Sequence, residues 1–247
     1  MHKRTDLPTD ASYTVRDQEL MKLAGRYFQW QADLAGAVLG RRPIEIGCGL
    51  GNFTKYLLGR DLVVATDVEP ACTERLAQRF PGAPNLVVQT IDVLSPEFAA
   101  LKRYEPDSVV CLNVLEHVED DALALRHMHQ VLPEGGLVVL LVPAFEALYG
   151  PIDRHLGHYR RYSKRSLRQL ADETGFKVNV LRFMNSAGFF GWWFNARVRK
   201  ATLQSEDQIR LFDRYIVPVL RRIEAVLPPP FGQSLFAVLT KQECAKR

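Results

Sequence analysis

Three glycines at alternate positions, not far from the N-terminal end of the chain, could hold a nucleotide-like ligand. Gly47, Gly49 and Gly51 follow the mainly apolar run 44–46, which predicts a buried strand. Glycine lets the backbone fold tightly and approach a ligand to a distance that a Cβ atom forbids. A dinucleotide-binding loop has its third glycine one position later, where this chain has Asn52. The spacing therefore indicates a nucleoside-binding loop of a different kind from one that binds a pyrophosphate.

Two acidic residues follow predicted strands further along the chain. Asp67 ends the apolar run 62–67, where a carboxylate can accept hydrogen bonds from both ribose hydroxyls of an adenosyl group. Asp67 could instead cap the next helix, although Glu69-Pro70 suggests that this helix starts later. Asp92 follows the run 86–90 and is by itself a weaker indication of a binding site.

Side chains able to transfer protons or bind anions are concentrated between residues 143 and 162. This stretch contains His155, His158 and Tyr159 among several arginines, and it has no clear periodicity. Imidazole exchanges protons near neutral pH, so His158, His155 and Tyr159 are the candidates for a general base. His117, after the fourth predicted strand, is a further candidate, and local packing is the alternative for it.

Apolar runs alternate with helical periods along the chain. The predicted strands are 44–46, 62–67, 86–90, 107–112, 137–142, 176–183 and 234–240. The predicted helices are 17–40, 53–58, 120–132, 164–174 and 206–226. This alternation predicts an α/β fold, a doubly wound parallel sheet with helices on both faces. A ligand would bind beyond the carboxyl ends of its strands, where the glycines, Asp67 and Asp92 fall.

Several segments, taken together and in order, resemble the motifs of class I S-adenosylmethionine (SAM) methyltransferases. Glu45 with the three alternating glycines is similar to their first motif, E-x-G-x-G-x-G. The segments LNVLEHVEDD (112–121) and LPEGGLVVLLVP (132–143) are similar to later ones. The resemblance implies SAM as the cofactor and a mostly parallel seven-stranded sheet of order 3-2-1-4-5-7-6 with strand 7 antiparallel. It also implies a substrate-covering insertion after strand 5.

The same resemblance implies which residues contact SAM. Asp92 would bind the adenine amino group, Asn113 would line the methionine end, and Tyr27 would lie in a helix over the pocket. The full set of expected cofactor contacts is Tyr27, Glu45, Gly47, Cys48, Gly49, Gly51, Asn52, Phe53, Asp67, Val68, Asp92, Val93, Asn113 and Val114. Residues 1–40 would form an N-terminal helical lid, and 41–247 the methyltransferase domain, with variable substrate-side insertions at 143–162 and 184–232.

The charge of the chain is unevenly distributed. Residues 1–150 carry 14 Lys and Arg against 20 Asp and Glu, whereas residues 151–247 carry 18 against 8. A basic half suits an anionic partner, although a solvated basic surface has the same composition. The uncharged segment 184–194 is too short to cross a membrane, which takes about 20 apolar residues. Peripheral membrane contact, a pocket wall, a dimer contact and core packing all stay open for it.

Composition excludes some other classes of protein. A hydrophobic content of 47% and a charged content of 24% are ordinary for a soluble globular domain. The N-terminal sequence shows no apolar core of a secretory signal. The four cysteines form no C-x-x-C pair, so we expect reduced thiols, a cytoplasmic location and no metal site.

The expected function is thus methyl transfer from SAM to a small-molecule or lipid-like acceptor, with a weak preference for an anionic or phosphorylated one. A short string, LGHYRRYS (156–163), resembles a subfamily associated with bacterial secondary metabolite and cell-surface biosynthesis. The alternatives are an RNA or protein methyltransferase that uses the basic half, and a non-catalytic SAM-binding protein. Nucleic acid is disfavoured, because no RNA-binding motif is visible. A homo-oligomer stays open.

Overall fold

A computed structural model describes residues 18–195 and 205–242, and one seven-stranded sheet organises them. The strand order is β3-β2-β1-β4-β5-β7-β6. All neighbouring pairs from β3 to β5 are parallel, whereas β7 is antiparallel to both β5 and β6. The predicted sheet order and the reversed seventh strand are confirmed.

The strands lie within one or two residues of their predicted positions. They are β1 (Pro43–Ile46), β2 (Val63–Asp67), β3 (Leu86–Thr90), β4 (Ser108–Leu112), β5 (Leu137–Pro143), β6 (Phe176–Met184) and β7 (Ser234–Lys241). The central strands are almost wholly apolar because helices cover both faces of a doubly wound sheet. Alternate residues of β5 enter opposite cores, with Leu140 on one face and Leu141 on the other.

The α-helices of the described residues flank this sheet. They are α1 (Gly25–Gly36), α2 (Pro70–Arg79), α3 (Asp121–Val131), α4 (Pro151–His155), α5 (Lys164–Glu173), α6 (Ser186–Phe194), α7 (Glu206–Leu211) and α8 (Val217–Val226). Local capping fixes several of their starts. Asp120 accepts from the Leu123 N–H at 2.8 Å to begin α3, and Ser163 accepts from the Ser166 N–H at 3.0 Å to begin α5.

Three of the predicted helices were wrong in extent. The helix expected over 17–40 is broken: residues 18–21 are helical, a turn follows, and α1 runs only from Gly25 to Gly36. Residue 17 lies outside the described residues. The helix expected over 53–58 is a single 3₁₀ turn, Thr54–Tyr56. The helix expected over 206–226 is interrupted by a π-helical turn, Phe212–Ile216.

The π-helical turn has a structural use. It carries Asp213, whose carboxylate accepts from the backbone N–H groups of Tyr27 at 2.8 Å and Arg26 at 3.2 Å. These are among the N–H groups at the start of α1 that have no partner within the helix. An acidic residue nearly 190 positions away in sequence therefore caps α1, and α1 packs beside α8.

The segment after β5 leaves the sheet and returns to it. Tyr162 N–H donates to the Pro143 carbonyl and Phe145 N–H to the Tyr162 carbonyl, so the two ends of the segment are joined. Between them lie a 3₁₀ turn, Glu146–Leu148, and the short helix α4. This closed excursion begins at the carboxyl end of β5, the edge where α/β sheets bind ligands.

Candidate functional site

The glycine loop and the end of β2 form one hydrogen-bonded unit. The N–H groups of Gly47 and Cys48 donate to the Thr66 carbonyl at 2.8 and 2.9 Å. The next glycine, Gly49, donates its N–H to Asp67 Oδ2 at 2.8 Å. Gly47, Gly49 and Gly51 have φ of +72°, +51° and +77°, where a side chain is unfavourable. The alternating glycines are therefore required by the backbone path around the Asp67 carboxylate.

Asp67 is held in place by backbone groups. Its Oδ1 accepts from the Glu69 N–H at 3.0 Å while Oδ2 accepts from Gly49. Burial raises the pKa of this carboxyl, and the backbone N–H donors oppose that rise. Each carboxylate oxygen has two lone pairs, so Asp67 can accept further hydrogen bonds. The next residue, Val68, leaves 59% of its area exposed, which gives an open apolar surface beside this carboxylate.

Glu45 lies inside the sheet, in the middle of β1. Its side chain is 4% exposed, and its Oε2 has no hydrogen-bond partner among the described residues. Burial raises the pKa of Glu45 to about 8, and the nearby Asp67 carboxylate adds to the rise. A buried acid with an unpaired oxygen is costly unless a donor or a cation reaches it.

The remaining residues of the loop are packed instead of open. Asn52 Nδ2 donates to the Gln18 carbonyl at 2.9 Å, and its Oδ1 accepts from Arg79 at 3.2 Å. Cys48 and Phe53 are buried, and burial raises the pKa of the Cys48 thiol. Residues near 18 thus lie on the glycine loop and close part of it.

The expected adenine end is formed by the turn after β3. Asp92 is exposed, and its Oδ1 accepts from the Leu94 N–H at 2.8 Å. Val93 is buried, and its carbonyl lies 2.7 Å from Nδ1 of His127 on α3. His127 therefore fastens this turn to a helix, a role that the sequence did not indicate.

The turn after β4 lies against the glycine loop. Asn113 has a φ of +54°, is exposed, and donates its N–H to the Leu141 carbonyl at 2.7 Å. A Cβ atom on Gly47 would come within 2.3 Å of Cγ2 of Val114. Asn113 and Val114 therefore lie at the same edge as the glycine loop and Asp67.

Tyr27 is placed on the other side of that edge. Burial raises the pKa of its hydroxyl, and the side chains of Ser234, Gln31 and Asn185 lie close enough to oppose that rise. Ser234 begins β7 and Asn185 follows β6, so this hydroxyl lies near the strands furthest from the glycine loop. Tyr27 therefore lies on the β6 and β7 side of the sheet.

A second polar centre lies in the excursion after β5. Nδ1 of His158 is 2.9 Å from Oδ1 of Asp153, and the same oxygen accepts from Nε of Arg161 at 2.8 Å. Oδ2 accepts from the Gly150 N–H at 2.9 Å. The side chains of these three residues are at most 7% exposed. Burial disfavours the ionised Asp153, but His158 and Arg161 outweigh it and hold its pKa below the usual range.

The turn after β4 contributes two more groups to this centre. Glu116 is 1% exposed, and its Oε2 has no hydrogen-bond partner among the described residues. Burial raises the pKa of Glu116 to about 7, while His158 and Arg161 act against the rise. The ring of His117 meets that of His158 edge-on, with centroids 4.6 Å apart. The glycine-loop edge and the excursion are thus joined through the segment 113–117.

The other two candidates for a general base, Tyr159 and His155, lie outside the contact between His158 and His117. Tyr159 donates its backbone N–H to the Glu116 carbonyl at 2.8 Å, which ties the excursion to the turn after β4. His155 is the last residue of α4 and is half-buried. Of the four candidates for a base, His158 and His117 are the pair brought together.

The aromatic segment after β6 is a helix with two environments. Trp192 of α6 is buried against Leu148 and Ile152, and the guanidinium of Arg161 lies 4.6 Å from its ring centroid. Phe190, Trp193 and Phe194 are 59%, 48% and 47% exposed. One side of α6 therefore supports the buried centre and the other faces outward. The basic residues that follow in the sequence, Arg197, Arg199 and Lys200, lie outside the described residues.

Glu116 and Asp153 were not singled out as predicted site residues, although both lie in segments that the sequence analysis marked, 112–121 and 143–162. Glu116 adjoins His117 directly after a strand, and Asp153 precedes His158 by five residues, so a weak signal existed for each. Neither spacing specifies contact, because α4 and the turn after it bring Asp153 back to His158.

Comparison with known proteins identifies the family to which the fold belongs. A family model described as a methyltransferase domain matches residues 18–180. A ubiquinone biosynthesis O-methyltransferase of Aeromonas salmonicida is 31% identical over 114 residues, which cover 45% of this chain and 47% of that protein. The chain thus spans about half the length of this relative.

Two solved structures share the fold at low sequence identity. An S-adenosylmethionine-dependent methyltransferase of Mesorhizobium loti gives a TM-score of 0.58 at 15% identity, over 85% of this chain and 96% of that one. The N-methyltransferase NodS of Bradyrhizobium japonicum, in complex with S-adenosyl-L-homocysteine, gives 0.53 at 18% identity, over 97% of this chain and 90% of that one. Since the family model covers well over half of the chain, this protein belongs to the methyltransferase-domain family of class I, SAM-dependent, Rossmann-like proteins.

Proposed function

We propose that this protein transfers the methyl group of SAM to a hydroxyl oxygen of a small, partly apolar acceptor. The observation that carries the proposal is the buried pair of His158 and Asp153, 2.9 Å apart, beside Glu116. A hydroxyl must lose its proton as it is methylated, whereas an amine with a free lone pair needs only to be positioned. An oriented imidazole therefore favours oxygen as the acceptor atom.

The residues at the carboxyl edge of the sheet fit SAM. The Asp67 carboxylate would accept from ribose hydroxyls, and the exposed face of Val68 would lie against the adenine ring. The orphaned Oε2 of Glu45 lies behind the loop, where the positive charge of the cofactor's amino group would compensate it. Asp92 would bind the adenine end of SAM, and Asn113 would line its methionine end. Once bound there, SAM supplies an electrophilic methyl group on a sulfonium.

The second centre would prepare the acceptor. Asp153 orients His158 through Nδ1, which leaves Nε2 to receive the hydroxyl proton. Arg161 and the Gly150 N–H hold Asp153 in turn, so the pair is rigid. The excursion 144–162 covers this point and excludes water, which favours transfer to the acceptor over hydrolysis.

Three observations support an apolar acceptor with an anionic character. The relative from Aeromonas salmonicida is named as an O-methyltransferase of ubiquinone biosynthesis. The helix α6, which carries exposed aromatic side chains, follows β6 directly in the sequence. The C-terminal part of the chain carries the excess of basic residues. We therefore infer a lipid-like or phosphorylated acceptor, present in the cytoplasm or at the inner face of a membrane.

The test is methylation with SAM labelled in the methyl group, using aqueous and lipid extracts separately. We expect label in a product that survives alkaline hydrolysis, because an ether is stable to base and a methyl ester is not. His158→Gln and Asp153→Asn should reduce turnover by about 10²-fold or more and leave the affinity for SAM unchanged in calorimetry. His129→Gln, on the far end of α3, is the matched control.

Other results would redirect the assignment. Label that disappears after nuclease or protease treatment would show a macromolecular acceptor and contradict the proposal. Full turnover by His158→Gln would show that His158 is not the general base. If the unchanged chain did not bind SAM, the glycine loop would have to bind a different ligand.

A further inference from the structure

Three side chains at the second polar centre, where the excursion after β5 meets the turn after β4, are arranged as ligands of a metal ion. One donor atom each from Glu116, His117 and His158 lies within 4.8 Å of the other two. We propose that these residues bind a divalent first-row transition metal ion, with Zn²⁺ as the best match. The inference rests on the proposed function only in placing the ion beside the acceptor, since its binding is measured without acceptor or SAM.

Both histidines are oriented as metal ligands usually are. A ligating histidine almost always donates its other ring N–H to a carboxylate or a backbone carbonyl. Nδ1 of His158 is 2.9 Å from the Asp153 carboxylate, so Nε2 is the nitrogen left for a ligand. A ring nitrogen of His117 is hydrogen-bonded to the backbone of Leu156. Each imidazole therefore has one nitrogen engaged by the protein and the other directed by that contact.

Glu116 supplies an independent indication. Its side chain is 1% exposed, yet Oε2 has no hydrogen-bond partner among the described residues. Buried polar atoms are normally paired, and each exception calls for a donor, a water or an ion that satisfies it. A cation held between Glu116 and the two imidazoles satisfies this oxygen.

The donor set selects the class of ion. Two imidazoles and one carboxylate suit Zn²⁺ and its first-row neighbours, whereas Mg²⁺ and Ca²⁺ take oxygen ligands almost exclusively. Bonds of about 2.0–2.2 Å would bring the donors to roughly 3.3 Å from one another. Binding an ion would therefore draw the three side chains closer together than they lie here. Three protein ligands leave a fourth position open to solvent or substrate, as at catalytic zinc sites.

The ion and the proton-accepting role of His158 exclude each other at Nε2. With the ion bound, that nitrogen is a ligand and does not take the acceptor's proton. Chelation therefore distinguishes the two assignments: turnover that stops in EDTA and returns with Zn²⁺ supports the ion, and turnover indifferent to EDTA supports the free imidazole.

Binding is tested on the full chain after treatment with EDTA and removal of the chelator. Calorimetric titration with Zn²⁺ should show one site, and titration with Co²⁺ should give visible absorption bands of a low-symmetry nitrogen and oxygen site. We expect Glu116→Gln and His117→Gln each to weaken Zn²⁺ binding at least about tenfold, and Asp153→Asn to weaken it by a similar factor through His158. His129→Gln is the matched histidine control and should bind as the unchanged chain does.

Folding of the variants is checked by thermal melting. His117 is exposed, so His117→Gln keeps the test decisive if Glu116→Gln does not fold. Zn²⁺ should raise the melting temperature of the unchanged chain and of His129→Gln, but not of His117→Gln. Absence of stoichiometric binding, or equal affinity in the ligand variants and the control, would overturn the inference. Metal binding without methyl transfer would support the metal site and contradict the proposed function.

Discussion

At the scale of single residues, a glutamate placed inside a sheet makes the stability of the folded protein depend on pH. Glu45 is surrounded by apolar strand residues, and burial raises its pKa to about 8 from a usual value of 4.5. Near neutral pH the folded protein therefore keeps a proton on Glu45 that the unfolded chain has released. Folding takes up this proton, so stability falls as the pH rises between about 4.5 and 8.

Glu45→Gln should remove this dependence, because the amide is neutral at every pH. At pH 8 the variant should be more stable than the unchanged chain by up to about 5 kcal/mol, and near pH 5 the two should differ little. Denaturant unfolding at a series of pH values measures the difference. Glu74→Gln, at an exposed position of α2, is the control and should follow the unchanged chain. Parallel pH curves for Glu45→Gln and the unchanged chain would contradict the expectation.

At the scale of elements, the site depends on turns that pack against each other. The glycine loop after β1 leaves no room for a Cβ atom at Gly47, because Val114 in the turn after β4 occupies that space. The positive φ of Gly47 adds a second, independent restriction. The two turns that would hold opposite ends of the cofactor are therefore coupled by direct contact.

Gly47→Ala should destabilise the protein by about 2–4 kcal/mol, from the unfavourable φ together with the clash. Gly82→Ala measures the effect of the unfavourable φ alone, because Gly82 has a φ of +74° and nothing lies within 4 Å of the added Cβ. This change should destabilise the protein by about 1 kcal/mol. In a double-mutant cycle, Val114→Ala should recover part of the loss at Gly47. Strict additivity of the two changes would show that the contact carries no energy.

The same elements show what sequence could and could not predict. The strands were found because each is a short apolar run, and the cofactor loop because glycine at three positive φ values leaves a sequence signature. The break between α7 and α8 was missed because a π-helical turn keeps a helical sequence pattern. The proximity of Asp153 and Glu116 was not predicted, because it depends on how the excursion folds back, through contacts such as Tyr159 N–H to the Glu116 carbonyl.

At the scale of the whole molecule, the C-terminal part of the chain exposes apolar and basic groups together. Tyr215, Val219, Ile223 and Val226 recur every three to four residues and are all more than half exposed, which gives α8 and the π-helical turn before it an outward apolar stripe. Arg222 is exposed on the same helix. Among the described residues, no helix has the length and apolar character needed to cross a membrane. An apolar stripe with arginines suits a helix that lies in the plane of an anionic lipid surface.

We predict that the protein sediments with vesicles containing phosphatidylglycerol, and less with vesicles of phosphatidylcholine alone. Added salt should weaken the association, because exposed charges are screened. The double change Val219→Ser and Ile223→Ser should weaken it about tenfold or more, since each apolar side chain buried in lipid contributes up to ~1.5–3 kcal/mol. Val180→Ser, at an exposed position of β6, is the matched control. Equal sedimentation with both kinds of vesicle, or no effect of the double change, would exclude this surface.

The position of β7 has a consequence for how the molecule is made. β7 is the last strand of the described chain, yet it lies between β5 and β6 and pairs with both. During synthesis on a ribosome, β1 to β5 can associate as they emerge, but β6 has no neighbour in the sheet until residues 234–241 have left the exit tunnel. The nascent chain therefore presents two unpaired strand edges for most of the time that its C-terminal third is translated. Completion of the β6 and β7 side of the sheet, where Tyr27 lies near Ser234, is consequently among the last events of folding.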